Sequence, residues 1–124
     1  MKTYDKEYGH QTEEIEIPQE LIFCDVFKIL SGDAKLLYCC MLAVQQQEGN
    51  QKTDEDGKRY IEYPIQRIMQ EFRCSERTAI RILEELDCKN GIGLLEKKRQ
   101  GRGLPNRIYL KDFKEVQRQL ESRR

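Results

Sequence analysis

YPIQRIMQEFRCSERTAIRILEELDCKNGIGLLEKKRQGRGLPNRIY, residues 63–109, is the stretch from which the rest of the chain can be read. In its first part Ile65, Ile68, Met69 and Phe72 recur at i, i+3, i+4 and i+7, which lines four apolar side chains along one helix face. Arg73 and Cys74 break the run, and after Ser75 the same spacing returns in Ala79, Ile82, Leu83 and Leu86. Two short amphipathic helices in succession predict a helix-turn-helix. Ser75 is suited to cap the second helix, because its hydroxyl can accept from an orphaned first-turn amide, and Glu76 suits the positive end of the dipole.

At 100° per residue Arg77 and Arg81 project almost opposite the apolar stripe of the second helix, with Thr78 beside them and Glu84 and Glu85 further along. The first half of that face is therefore basic, as in a recognition helix entering a major groove. The plainer alternative makes both arginines ordinary solvated residues, paired with Glu84 or Glu85 one turn on. The next segment favours the nucleic-acid reading. Leu94 to Gln100 reads as a strand, Gly101-Arg102-Gly103 as a turn, and Arg107 to Leu110 as the returning strand. This hairpin, or wing, carries Lys97, Lys98, Arg99, Arg102 and Arg107 without an acid between them, and its glycines let backbone approach a phosphate.

Three motifs together carry a family resemblance: SGDAKLLY (Ser31 to Tyr38), DGKRYI (Asp56 to Ile61) and GLLEKKRQGRGLPNRIYLKDF (Gly93 to Phe113). With them the chain resembles the N-terminal domain of the replication initiator A proteins of Gram-positive plasmids and related mobile elements, over most of Ile17 to Phe113. The resemblance implies a winged helix that binds duplex DNA at a replication origin. It puts Ser75, Arg77, Thr78 and Arg81 on the recognition helix, and Lys97, Lys98, Arg99, Arg102, Asn106 and Arg107 on the wing. CKNGIG, Cys88 to Gly93, is slightly longer than the family's usual step into the wing. Family members normally continue into another domain, whereas this chain stops at Arg124.

The fold class expected is α+β and mainly α: a winged helix-turn-helix with three core helices, a small antiparallel sheet forming the wing, and a C-terminal helix. Its 124 residues suffice for one core. Residues 1–12 read as a flexible tail, 13–113 as the winged-helix domain and 114–124 as a C-terminal helix or connector. Glu13 to Ile17 alternates charged and apolar residues like an edge strand ended by Pro18, and QELIFCDVFKI reads as short helix or irregular chain. Ser31 should cap a third core helix in which Ala34, Leu37, Met41 and Val44 form the apolar line and Leu36 and Cys40 widen it. Glu48 to Lys58 is expected as a loop and Arg59 to Glu62 as a strand joining the wing. Behind an Asp112 cap, Phe113, Val116 and Leu120 share one side of the last helix. That stripe can dock on the core, pair with a second copy, or lead into a further domain.

The formal net charge of zero hides a division. Residues 1–57 hold 5 Lys or Arg against 12 Asp or Glu, and residues 58–124 hold 17 against 10. The basic half coincides with the helix-turn-helix and wing, giving a dipolar field that orients the molecule toward a polyanion. Five cysteines, an odd number without a C-x-x-C, fit a reducing compartment, and Cys40 on an apolar helix face reads as a small hydrophobe. Cys74, in the turn, is the cysteine to watch for oxidation. With neither an apolar h-region at the start nor a run long enough to span a bilayer, the expected location is the cytoplasm.

Nothing points to catalysis. The single His10 sits in the polar tail, no phosphate-binding G-x-x-x-x-G-K-[ST] occurs, and Gly101-Arg102-Gly103 lacks the third glycine of a dinucleotide site. Asp54, Glu55 and Asp56 before Gly57 resemble a calcium loop, but the register would put Lys52 and Tyr63 at the two terminal ligand positions. Neither a metal nor a cofactor is expected. Two function classes remain: a sequence-selective duplex-DNA binder acting as part of a replication initiator, and a winged-helix protein-interaction module in replication, partition or transcription control. The partners expected are double-stranded DNA, with a second copy of the chain and host replication proteins as further candidates, and no membrane.

Overall fold

The computed structural model describes residues 14–47 and 52–123. The tail expected over residues 1–12 and part of the loop at 48–51 lie outside the described residues. Helix α1 (Gln19–Phe23) and a 3-10 turn (Asp25–Phe27) lead into α2 (Gly32–Gln46). Strands β1 (Lys52–Thr53) and β2 (Arg59–Glu62) precede the helix pair α3 (Ile65–Phe72) and α4 (Glu76–Leu86). Then come β3 (Leu95–Lys98), β4 (Arg107–Leu110) and α5 (Phe113–Glu121). The expected class holds: three core helices, a small antiparallel sheet and a C-terminal helix.

The helices begin where the sequence supplies caps. Ser31 accepts from the Ala34 amide at 3.1 Å, Ser75 from Thr78 at 3.2 Å and Asp112 from Lys114 at 3.3 Å. Each satisfies one first-turn donor, an effect worth about 1 kcal/mol. The core gathers Ala79, Ile82, Leu83 and Leu86 of α4 with Ile68 of α3, Leu37 and Met41 of α2, and Ile61, Leu95 and Ile108 of the sheet. On α2 the buried face widens through Tyr38 and Cys39, whereas Leu36 is exposed and Cys40 only half-buried. The reason lies 73 residues away, where the Tyr38 hydroxyl donates to the Lys111 carbonyl at 2.5 Å and draws that flank under the start of α5. Burial pushes the Cys39 and Cys40 thiols up to about 11, so both are neutral at pH 7.

The sheet is antiparallel in the order β1-β2-β4-β3, with Ile61 opposite Ile108 and Leu95 opposite Leu110. Over its described part, residues 14–17, the strand expected at Glu13 to Ile17 does not form. Residues 14–18 have no regular structure, and Ile15 and Ile17 are exposed because neither edge of the sheet receives them. The expected loop before Lys58 is in part a hairpin: β1 pairs with β2, and Asp54 to Lys58 close a tight turn. The last helix docks on the core, with Val116 buried and Phe113 and Leu120 packed against it.

The step from α4 into the wing is held by a close approach. The Ile92 amide donates to the Glu85 carbonyl at 2.9 Å and the Gly91 amide to the Asp87 carbonyl at 2.8 Å. A Cβ on Gly91 would stand 2.1 Å from the Glu85 carbonyl oxygen. Only glycine fits there.

Candidate nucleic-acid interface

The helix-turn-helix joint passes through Arg73, which adopts φ 50, ψ 54 and is the only non-glycine residue with positive φ among those described. That conformation costs a residue with a Cβ roughly 1 kcal/mol. It leaves the Arg73 side chain exposed at the turn. After it, α4 presents Ser75 and Arg77 to solvent, with Thr78 half-buried beside them. Arg77 has no hydrogen-bond or ion-pair partner among the described residues. Arg81 does: its guanidinium meets Glu85 at 3.0 Å, as the plainer reading of that helix expects. Glu85 is itself fixed, accepting from the Ser31 amide at 2.7 Å and the Ser31 hydroxyl at 2.9 Å. Ile80, exposed near both arginines, adds an apolar group to the outward side that the charge pattern did not single out.

Beneath this surface α3 buries a charged pair that its sequence pattern conceals. Arg67 is 5% exposed, donates from Nε to Glu71 at 2.9 Å, and stacks its guanidinium 4.3 Å from the Tyr63 ring centre. The Tyr63 hydroxyl donates to the other Glu71 oxygen. Burial, reinforced by the Glu71 charge, pushes the Tyr63 phenol above its ordinary range, so it stays a donor. The triad braces the first helix of the pair.

In the wing, strand alternation separates two kinds of cation. Lys97 pairs with Ile108 on the helix-facing side and is half-buried, its amide donating to Asp87 at 3.0 Å. Lys98 pairs with Arg107 on the outer face, above the Tyr109 ring. Arg107 is locked there: its Nε donates to Gln100 at 3.0 Å, another guanidinium nitrogen reaches the Tyr109 hydroxyl at 3.4 Å, and the group lies 4.6 Å from the Tyr60 ring centre. Gln100 in turn donates to Glu62 at 2.7 Å and to the Pro105 carbonyl at 2.8 Å, closing the neck of the wing. Glu62 is held below its ordinary 4.5, chiefly by Lys52 at 2.7 Å.

The tip differs. A turn from Gly101 to Leu104 is closed by a 3.2 Å amide bond, with Gly103 at φ 80, where a side chain would be strained. Arg102 stands exposed and unpaired among the described residues, and Leu104 beside it is 58% exposed. Asn106 is half-buried and lines an open groove of about 430 Å³ together with Leu104, Pro105 and the start of α3 at Pro64 to Gln66. Of the arginines singled out in the sequence, Arg77, Arg99 and Arg102 are exposed and without a partner among the described residues, Arg81 is paired locally, and Arg107 is held by Gln100 and Tyr109. No group of three or more His, Cys, Asp or Glu side chains among the described residues is arranged to hold a metal ion. No described helix is long and apolar enough to cross a membrane.

Two solved structures share the fold at 28% identity. One, described as "Structure of Rep-DNA complex", has a TM-score of 0.61 and covers 90% of this chain and 83% of that one. The other, "N-Terminal domain of DNA binding protein", has a TM-score of 0.60 and covers 90% and 82%. A third, "Structure of MDR initiator", is similar in fold at 24% identity, with a TM-score of 0.59 over 90% and 85%. No curated protein matches the chain. Residues 14–122 match the family described as replication initiator protein A (RepA) N-terminus, which takes in the helix-turn-helix, the wing and α5. The chain belongs to that family.

Proposed function

We propose that this domain binds duplex DNA at a replication origin, in a sequence-selective way, as part of a plasmid or mobile-element initiator. The observation that carries the reading is that Arg77, on the first turn of α4, and Arg102, at the wing tip, are both exposed and without a partner among the described residues. Ser75, Arg77, Thr78 and Arg81 face base edges and adjoining phosphates, while Arg102 and Asn106 take a phosphate or sugar contact from the wing. Ile80 offers an apolar surface to thymine methyl groups. The role is binding without catalysis, exercised in the cytoplasm where the replicon lies.

Fluorescence anisotropy with duplex DNA over a salt series tests it. Arg102→Ala should weaken all duplexes alike and lower the salt slope by about one unit, whereas Arg77→Ala should cost about 1–3 kcal/mol at one base position and relax sequence choice there. If both variants bind like the parent, the DNA face is wrongly assigned.

A second reading, protein docking, is favoured by one observation. Phe23 and Ile29 are 73% and 83% exposed, and Ile29 borders an open groove of about 300 Å³ formed with Leu30, Glu85, Asn90, Gly91 and Ile92. A second copy of the chain or a host replication protein would use that face. Sedimentation velocity at high concentration separates the two: a dimer dispersed by Ile29→Asp supports self-association, and a monomer throughout leaves the face to another protein.

A further inference from the structure

The outer face of the sheet carries an arrangement that the DNA-binding reading leaves unused. The turn between β1 and β2 brings Asp54, Glu55 and Asp56 across an open groove of about 350 Å³ from Lys98, Arg99 and Arg107. The turn is fixed by Asp54. Its carboxylate accepts from the Asp56 and Lys58 amides, both at 2.9 Å, and from the Tyr109 hydroxyl at 2.8 Å. Glu55 approaches Arg107 at 3.8 Å, and Glu55 and Asp56 are exposed. Three acids thus oppose three cations on one face of the wing, and Arg102 at the tip lies outside this groove.

Resting on the DNA-binding reading, we propose that the Asp54–Asp56 turn closes the wing's outer face to nucleic acid and confines duplex contact to the wing tip and the recognition helix. Glu55 and Asp56 act as specificity residues. Binding to arbitrary sequence is driven almost entirely by phosphate neutralisation, so any open cluster of cations creates a competing, unproductive docking mode. Lys98, Arg99 and Arg107 would form such a cluster if they stood alone. With the acids in place a phosphate arriving at that face meets as much repulsion as attraction, and the specific complex, which does not use the face, loses nothing.

The test is the variant Glu55→Gln with Asp56→Asn, which removes two exposed charges and keeps the Asp54 side chain that holds the turn. A control, Glu14→Gln with Glu16→Gln, removes the same charge from an exposed segment outside the sheet. Binding to a random-sequence duplex is followed by anisotropy at low salt, and Lys98 accessibility by acetylation footprinting with and without that duplex. The proposal expects the first variant to bind the random duplex about fivefold more tightly, with Lys98 newly protected. The parent and control should leave Lys98 reactive. Lys98 already protected in the parent, or equal gains in variant and control, would overturn it. A parent with no salt-dependent duplex binding at all would sink the DNA-binding reading and this proposal together. A parent whose binding responds to Arg102→Ala while Lys98 is protected sinks the proposal alone.

Discussion

Two arginine networks hold this domain, one under the helix pair and one on the wing. Arg67 meets Glu71 at 2.9 Å beside Tyr63, and Arg107 meets Gln100 at 3.0 Å beside Tyr60 and Tyr109. The geometries are alike and the surroundings are not. The side chains of Arg67 and Glu71 are 7% and 8% exposed, whereas that of Arg107 is 25% exposed and that of Glu55 beside it 79%. Removing one member of a buried pair breaks charge-assisted hydrogen bonds away from water, while a network with one side open to solvent can replace a lost partner with water at less cost. The helical network is thus a structural brace. The wing network holds Arg107 in place and leaves its acidic side, at Glu55, open to solvent.

The largest effect should come from breaking the brace. Glu71→Ala leaves the Arg67 guanidinium and the Tyr63 hydroxyl buried beside a hole, and should cost about 3–5 kcal/mol in chemical denaturation, with Glu71→Gln losing less. A loss under about 1 kcal/mol would mean that water reaches the pair, and the contrast with the wing would vanish. The joint between the two regions comes next. Gly91→Ala forces a Cβ against the Glu85 carbonyl and should cost about 2 kcal/mol, because the end of α4 must shift. An unchanged midpoint would show that the step from helix to wing is pliant.

The smallest effect belongs to the wing, and pH exposes it. Asp54 is held below its ordinary 3.8, first by the Lys58 amide and also by the Tyr109 hydroxyl. A carboxyl depressed in the folded state contributes stability that is present above its unfolded value and is lost as pH falls through its folded one. The wing should therefore keep its charge balance at neutral pH and loosen below about pH 4. Amide resonances of Asp56 and Lys58 should titrate with a midpoint under 3.8. Tyr109→Phe should raise that midpoint and leave global unfolding nearly unchanged. A midpoint at or above the ordinary value in the parent would mean that the network is open in solution.

Much of this was legible beforehand. The stripe of Ala79, Ile82, Leu83 and Leu86 is buried as its period predicts, the caps at Ser31, Ser75 and Asp112 all form, and Arg107 to Leu110 is a strand with the expected bounds. The site was legible as a set of candidates, not as a set of free groups. Arg107 and Arg102 read alike in the wing, yet one is bound through Gln100 and Tyr109 and the other is unpaired among the described residues. Arg67, off the apolar stripe of its helix, is nonetheless buried. The expected strand at Glu13 to Ile17 had the right alternation and no partner edge.

What the chain determined by itself is everything set by near neighbours: helix faces from a period of 3.6, starts from a hydroxyl or carboxylate placed before a first turn, and the wing tip from glycines that tolerate positive φ. Tertiary structure alone decided which charges remain available. That choice depends on groups far apart in sequence, as when Asp54 reaches Tyr109 across 55 residues or Ser31 holds Glu85 across 54. Packing fixes such pairings by excluding water from some polar groups and leaving others in it, and no local pattern records which groups those will be.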